Sequence, residues 1–180
     1  FAASIMLFVL GILLAFFTNQ SAFLIAIIVS LMLVIYSAAM QNHKYFGNIV
    51  VAAGTALTIV FGAAIAGEYL WASIFAVSAF LANIAREITK DLQDLEKDRG
   101  TKRTLPMILS FEWISRIVFL IYVAAITVAG TAWSGGIVGS GLFLFFLLAA
   151  AIVFFVAWEK FTEKDFAASQ KLSKYGMIVA

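Results

Sequence analysis

The chain has 180 residues, of which 64% are hydrophobic and 12% are charged, and its mean hydropathy is +1.05. A soluble domain carries about 25% charged residues, so this composition excludes an ordinary soluble globular protein and indicates a membrane protein. The apolar runs approach the roughly 20 residues that a membrane-spanning helix needs. They exclude the short alternating segments of a transmembrane barrel.

Seven apolar segments follow one another along the chain, and we predict a transmembrane helix from each, the last one partial. They cover residues 1–17, 22–40, 47–66, 71–85, 114–129 and 137–157, and the seventh begins after residue 174. The predicted fold class is an all-α, polytopic transmembrane helical bundle in a single domain. Because the sequence begins and ends inside apolar runs, we expect this domain, residues 1–180, to be truncated at both ends.

Lys and Arg are completely segregated between the turns that join these segments. The turns at 18–21, 67–70 and 130–136 carry none, whereas the stretches 41–46, 86–116 and 158–174 carry all twelve. The positive-inside rule places the second set in the cytoplasm. The stretch 158–174 mixes both signs of charge, and we predict that it lies on the membrane surface as an amphipathic connector.

A polar stripe follows the fourth segment. On a helical projection its members fall within about 100° of arc, and they are Asn83, Glu87, Lys90, Asp91, Asp94 and Asp98. Carboxylates on one face repel unless a positive charge lies among them. Oxygen ligands in a cluster suit a hard cation such as Mg2+, and the alternative is a solvated helix end.

Asn83 and Arg86 lie further inside the apolar segment than the rest of the stripe. Ionisable groups near membrane depth are costly and by default mark a functional cavity. The alternative is that Arg86 extends along the helix to reach lipid headgroups.

The segment REITKDLQDLEKDRGTKRTLP, which begins at Arg86, resembles the second aspartate-rich motif of the UbiA superfamily of intramembrane prenyltransferases. The likeness is greatest to the archaeal digeranylgeranylglyceryl phosphate synthase branch. Upstream, Tyr36-Ser37 and then Gly47-Asn48 resemble the family's Y-S…G-N-x-x-V stretch. The resemblance implies nine transmembrane helices around a central cavity, of which these seven would be the third to the ninth. The family's first aspartate-rich motif, N-D-x-x-D, is missing from this sequence.

The resemblance also implies the activity. This is Mg2+-dependent transfer of a prenyl group, geranylgeranyl in the archaeal branch, from a prenyl diphosphate to a lipid-soluble acceptor. In that branch the acceptor is geranylgeranylglyceryl phosphate and the product is an archaeal ether lipid. The alternatives are an aromatic acceptor of quinone or heme-type biosynthesis, a membrane transporter and a structural membrane subunit. The expected partners are the two substrates and membrane lipid, with no nucleic acid, and the active site would face the cytoplasm of a multi-pass protein in the cell membrane.

The family's motif implies the site residues. Asp91, Asp94 and Asp98 would be the Mg2+ ligands and the catalytic carboxylates. Contacts to the diphosphate are expected from Arg86, Lys90, Lys102, Arg103, Lys44 and Tyr36. The family often carries Lys or Arg just after the Y-S helix, where this sequence has Gln41 and Asn42.

A prenyl chain of twenty carbons needs a long apolar groove that runs from the aspartates towards the membrane centre. Small residues near that path are candidates for its lining, namely Ala52, Ala53, Gly54, Ala56, Ala79 and Ala82. The alternative is that these small residues only permit tight helix packing.

Overall fold

The computed structural model describes residues 2–40, 44–98 and 104–179, with side chains for all of these except residues 2–4, 39–40, 44–46 and 98. The regular structure of the described residues is helical. In chain order the α-helices are α1 (Ala2–Thr18), α2 (Gln20–Ile35), α3 (Lys44–Ala66), α4 (Tyr69–Gln93), α5 (Leu95–Asp98), α6 (Phe111–Ser134), α7 (Gly141–Thr162) and α8 (Phe166–Val179). A π-helical turn, Tyr36–Met40, extends α2, and a 3₁₀ turn, Leu105–Met107, precedes α6.

The described helices include five segments that are long and apolar enough to cross a membrane. These are Gln20–Ala38, Gly47–Ala66, Tyr69–Gln93, Phe111–Ser134 and Gly141–Thr162, and α1 adds the shorter apolar stretch Ile5–Thr18. Each of the first six predicted segments corresponds to one long helix, and α5 is only a short turn beyond α4. The seventh falls in the C-terminal half of α8, which begins earlier than predicted, at Phe166. The prediction of an all-α, multi-pass membrane bundle is confirmed.

Helix α4 lies at the centre of the described bundle, where it packs against α3, α6 and α8. Its buried positions are mostly small, including Ala72, Ala76, Ala82 and Ala85, so neighbouring backbones can approach closely. A two-residue turn joins α3 to α4, and Gly67 in that turn has a φ of +78°, a conformation that favours glycine. The two helices therefore form a tight antiparallel hairpin.

The structure differs from the prediction for residues 158–174. Helix α7 continues to Thr162, the chain turns at Lys164 with a φ of 64°, and α8 begins at Phe166. Ser169 and Ser173 on α8 have no exposed surface. The stretch is therefore the end of one packed helix and the start of the next, and not a connector on the membrane surface.

The serines of α8 explain this difference. The Ser169 hydroxyl donates to the carbonyl oxygen of Ala157 at 2.7 Å, and the Ser173 oxygen lies 2.6 Å from the Tyr122 hydroxyl. With Gly176 these residues form a row of small side chains at helical spacing, which lets α8 pack closely on α7. Both serine hydroxyls form hydrogen bonds inside the protein, so they can be buried without losing their partners.

Gly176 provides a test of how α8 packs. A Cβ there would lie 2.6 Å from Cε1 of Phe154, whose ring is buried and stacks on Tyr122 with 4.8 Å between centroids. We expect Gly176→Ala to destabilise the protein by about 1–3 kcal/mol, the usual cost of overpacking. The measurement is the thermal unfolding midpoint in detergent.

Gly62→Ala is the matched control, because Gly62 lies inside α3 and a Cβ there would meet no atom within 4 Å. Alanine has the better helix propensity, so this variant should melt at or above the wild-type temperature. Equal melting temperatures for the two variants would contradict the close approach of α8 to Phe154.

Candidate active site

The inner part of the predicted polar stripe faces the protein interior. Asn83, Glu87 and Asp91 follow one another at intervals of four residues along α4, and their exposed fractions are 2%, 4% and 2%. A helix end that is simply wet would leave such side chains in water. For these residues the structure therefore favours a built polar cluster over the solvated alternative.

Helix α3 supplies two partners for this stripe. Asn48 Nδ2 donates to Asp91 Oδ2 at 2.8 Å, and Asn83 Nδ2 donates to Thr55 Oγ1 at 2.9 Å. Because α3 and α4 are antiparallel, the two bonds form successive rungs between them, about two helical turns apart. The Thr55 hydroxyl in turn donates to the carbonyl oxygen of Val51 at 3.3 Å.

Arg86 is held inside the same cluster. One terminal nitrogen of its guanidinium donates to Asn83 Oδ1 at 2.8 Å and lies 3.1 Å from Glu87 Oε1. The side chain is 21% exposed, and its Nε is buried with no hydrogen-bond partner among the described residues. Arg86 is thus turned towards Asn83 and Glu87, an arrangement that favours the functional-cavity interpretation over extension to lipid headgroups.

Lys90 lies at the open edge of the cluster. Its Nζ is 3.8 Å from Glu87 Oε2, and its side chain is 47% exposed. Glu87 therefore lies between two cations, Arg86 and Lys90. This arrangement offsets the charge of the buried carboxylate, which would otherwise be costly to remove from water.

The carboxylates beyond Asp91 do not continue on one unbroken helix, as the helical projection assumed. Helix α4 ends at Gln93, Asp94 forms its C-terminal cap, and α5 restarts at Leu95. The Asp94 side chain is 28% exposed, and its Oδ1 lies 3.6 Å from Lys97 Nζ. Asp91 and Asp94 therefore both lie at the C-terminal end of α4, which we predict to face the cytoplasm. Asp98 lies on the separate short helix α5.

Several predicted site residues fall wholly or partly outside the described part. Asp98 ends α5 and Lys44 begins α3, but their side chains are not among those described. Lys102 and Arg103 lie outside the described residues altogether. Tyr36 is described, and it lies partly buried at the start of the π-helical turn.

The described side chains can be compared with what Mg2+ requires. Within the described ranges, no group of three or more His, Cys, Asp or Glu side chains is close enough to hold a metal. Asp91 and Asp94 are two of the three predicted ligands, and they offer only oxygen donors, which Mg2+ prefers. The donor chemistry of these two residues therefore fits a hard cation.

A small, mostly apolar cavity of about 90 Å³ lies against α4 on the N-terminal side of Asn83. Ala79 and Ala82, two of the predicted groove residues, line it together with Ile59, Phe75 and Met177. Gly54 faces elsewhere, since a Cβ built on it would lie 3.8 Å from Cε of Met32. Ligand pockets usually span about 300–1,000 Å³, so this cavity accounts for only part of a path for a prenyl chain.

Comparison with known proteins identifies the family. The model of the UbiA prenyltransferase family matches residues 1–178. The chain belongs to the UbiA prenyltransferase family. The resemblance found in the aspartate-rich segment is thereby confirmed, and the family assignment covers the whole helical bundle.

Individual UbiA relatives agree with this assignment. The chain is 34% identical over 150 residues to digeranylgeranylglyceryl phosphate synthase of Thermococcus sibiricus, covering 83% of the chain and 53% of the relative. It is 34% identical over 181 residues to the synthase of the same name from Methanococcoides burtonii, covering 98% of the chain and 64% of that relative. The chain therefore spans between about half and two thirds of the length of these curated relatives.

A solved structure supports the UbiA fold. It comes from a study of digeranylgeranylglyceryl phosphate synthase in membranes, and it superimposes with a TM-score of 0.79 over 99% of this chain and 64% of the solved chain. The sequence identity is 24%, so this likeness is a statement about the fold.

The sequence alone missed part of the site of this UbiA chain. Thr55 was not singled out, and Asn48 was noted only as part of a motif, although both contact the polar stripe. The available signal was their spacing, because two polar residues seven apart in a largely apolar helix share one face. Tyr122 and Ser173 form a second buried polar pair that periodicity did not indicate.

Proposed function

We propose that the protein to which this chain belongs transfers a geranylgeranyl group from geranylgeranyl diphosphate to geranylgeranylglyceryl phosphate, with Mg2+ as cofactor. Membership of the UbiA family and the curated relatives named as digeranylgeranylglyceryl phosphate synthases support it. The observation that carries it is the buried cluster of Asp91, Arg86 and their partners at one end of α4. Such a cluster inside a membrane bundle suits an anionic substrate with a lipid tail.

In the proposed mechanism Asp91, Asp94 and Asp98 would hold Mg2+, and the basic residues would bind the diphosphate. When bound there, Mg2+ would supply positive charge to stabilise the leaving diphosphate. Arg86 and Lys90 donate charge-assisted hydrogen bonds to phosphate oxygens. Lys102, Arg103, Lys44 and Tyr36 complete the set of diphosphate contacts.

The reaction replaces one carbon–oxygen bond with another. The allylic bond to the diphosphate breaks, and its electron pair leaves with the diphosphate. The acceptor hydroxyl oxygen forms the new ether bond, and its proton passes to the released diphosphate. The allylic cation must be kept from water, and the apolar walls formed by α3, α4 and α6 provide a suitable environment.

A second prediction concerns the carboxylates of the proposed metal site. Asp91→Asn and Asp94→Asn should each reduce Mg2+-dependent transfer at least a hundredfold, because the amide has nearly the same shape but lacks the charge that holds the cation. Transfer is measured in detergent with the full-length protein and labelled geranylgeranyl diphosphate, with and without Mg2+. Geranylgeranylglyceryl phosphate and an aromatic acceptor are supplied in parallel.

Glu159→Gln is the matched control, because Glu159 is an exposed carboxylate near the end of α7, outside the cluster. Its transfer rate should equal that of the wild type. Near wild-type activity in Asp91→Asn or Asp94→Asn would contradict the metal assignment. If the enzyme transfers the prenyl group only to the aromatic compound, the proposed acceptor is wrong and the acceptor is aromatic.

The proposed site faces the cytoplasm. The support is the complete segregation of Lys and Arg to one set of turns. The sequence holds no cysteine, so single cysteines can report the side of the membrane. We expect an impermeant maleimide to label Ser134→Cys in intact cells, and to label Lys97→Cys only after the cells are permeabilised.

Lys97 and Ser134 suit this experiment because both are exposed, with 81% of the Lys97 side chain accessible. Lys97 follows the end of the span Tyr69–Gln93, and Ser134 is the last residue of the span Phe111–Ser134, which runs in the opposite direction. Labelling of Lys97→Cys in intact cells would reverse the proposed orientation.

The cavity against α4 is proposed to hold part of the prenyl chain. Ala82 is buried in its wall, so Ala82→Phe should fill it and shift preference towards shorter prenyl diphosphates by about tenfold or more, a free energy of about 1.4 kcal/mol. The measurement is the ratio of kcat/KM for a fifteen-carbon and a twenty-carbon donor.

Gly62→Phe is the control for this change, because Gly62 is exposed on α3 with open space around it. Its preference should remain that of the wild type. If Ala82→Phe lowers protein yield and leaves the preference unchanged, Ala82 is a packing position and the path lies elsewhere.

A further inference from the structure

The contact between Asn48 and Asp91 joins the proposed metal site to a different helix. Asp91 is 2% exposed on α4, and its Oδ2 accepts the hydrogen bond from Asn48 Nδ2 of α3 at 2.8 Å. We propose that Asn48 is a positioning residue, which fixes the orientation of the Asp91 carboxylate towards the cation. This inference rests on the proposed role of Asp91 as a Mg2+ ligand.

The chemistry of Asn48 suits this role. Its amide donates a hydrogen bond but carries no charge, so it orients the carboxylate without neutralising it. A Lys or Arg in its place would form an ion pair and compete with the cation for Asp91. Outer hydrogen-bond partners of metal-binding side chains commonly act in this way.

The second rung between the helices keeps Asn48 in place. Asn83 Nδ2 donates to Thr55 Oγ1 at 2.9 Å, and Thr55 lies two turns along α3 from Asn48. Because the Thr55 hydroxyl donates to Val51, its oxygen is available as an acceptor for Asn83. A shift of α3 along α4 would break both rungs, so the register holds the amide of Asn48 opposite Asp91.

A hydrogen bond that serves packing alone makes a different prediction from a positioning bond. In either case, replacing Asn48 lowers the free energy of unfolding of the protein. The loss averages about 0.6 kcal/mol for a hydrogen bond between membrane helices. Only a positioning residue changes the affinity for the cation. Metal binding is therefore the measurement that separates them.

The experiment uses the full-length protein in detergent with Asn48→Leu, which keeps a similar volume and removes the donor. Mn2+ binding, measured by electron paramagnetic resonance of the free ion, is compared with the Mg2+ concentration for half-maximal transfer. We expect both to weaken by about 10-fold to 100-fold, the usual effect of losing an outer-shell partner. Asn48→Ala gives the same measurement if the leucine variant does not fold.

Thr58→Val is the matched control on the same helix. The Thr58 hydroxyl is exposed and donates at 3.0 Å to the carbonyl oxygen of Gly54, within α3 itself. This variant should bind Mn2+ as the wild type does. Equal weakening in Thr58→Val and Asn48→Leu would mean a general disturbance of α3, and would overturn the inference.

A double-mutant cycle with Asp91→Asn completes the test. If Asn48 acts through Asp91, Asn48→Leu should have no further effect on Mn2+ binding once Asp91 is replaced. Additive effects, or unchanged Mn2+ binding in Asn48→Leu, would overturn the inference. Failure of the proposed function is distinguishable, since it would appear as wild-type protein that binds Mn2+ but transfers no prenyl group.

Discussion

Polar side chains within a membrane-spanning helix depend on other protein groups for hydrogen bonds, because the lipid interior offers none. Helix α4 carries Asn83, Arg86, Glu87 and Asp91 on one side, and α3 meets that side with Asn48 and Thr55. The position of α4 in the bundle follows from this constraint. Its polar side turns towards α3, and its small apolar positions meet α6 and α8.

Hydrogen bonds alone do not hold this arrangement together. An interhelical hydrogen bond in a membrane protein contributes about 0.6 kcal/mol on average, so the two rungs to α3 mainly determine register. Close packing contributes the rest, through a core that includes Ile88, Ile114, Val118, Phe154 and Phe161. Packing keeps the helices together, while the rungs fix which residues of α3 lie opposite Asn83 and Asp91.

The sequence predicted the helices well because hydrophobic length and the distribution of Lys and Arg are local properties. It predicted the site less completely. The cap at Asp94 interrupts a stripe that continuous helical geometry would carry on to Asp98, and Thr55 resembles any other small residue until α4 is placed beside it. The sequence also predicts a surface position for the stretch that contains Ser169 and Ser173, because lysines lie on either side of them. Their burial depends on packing against α7, which the sequence does not show.

The two-residue turn between α3 and α4 also bears on how the chain is assembled in the cell. Helix α4 is apolar enough to cross a membrane, but Asn83, Arg86 and Glu87 near its end are polar groups that lipid solvates poorly. Its partners on α3 are synthesised first and are joined to it by the tight bend at Gly67. The pair can therefore leave the translocon as one hairpin with its polar sides already facing each other, so that lipid never has to solvate Asp91 or Arg86.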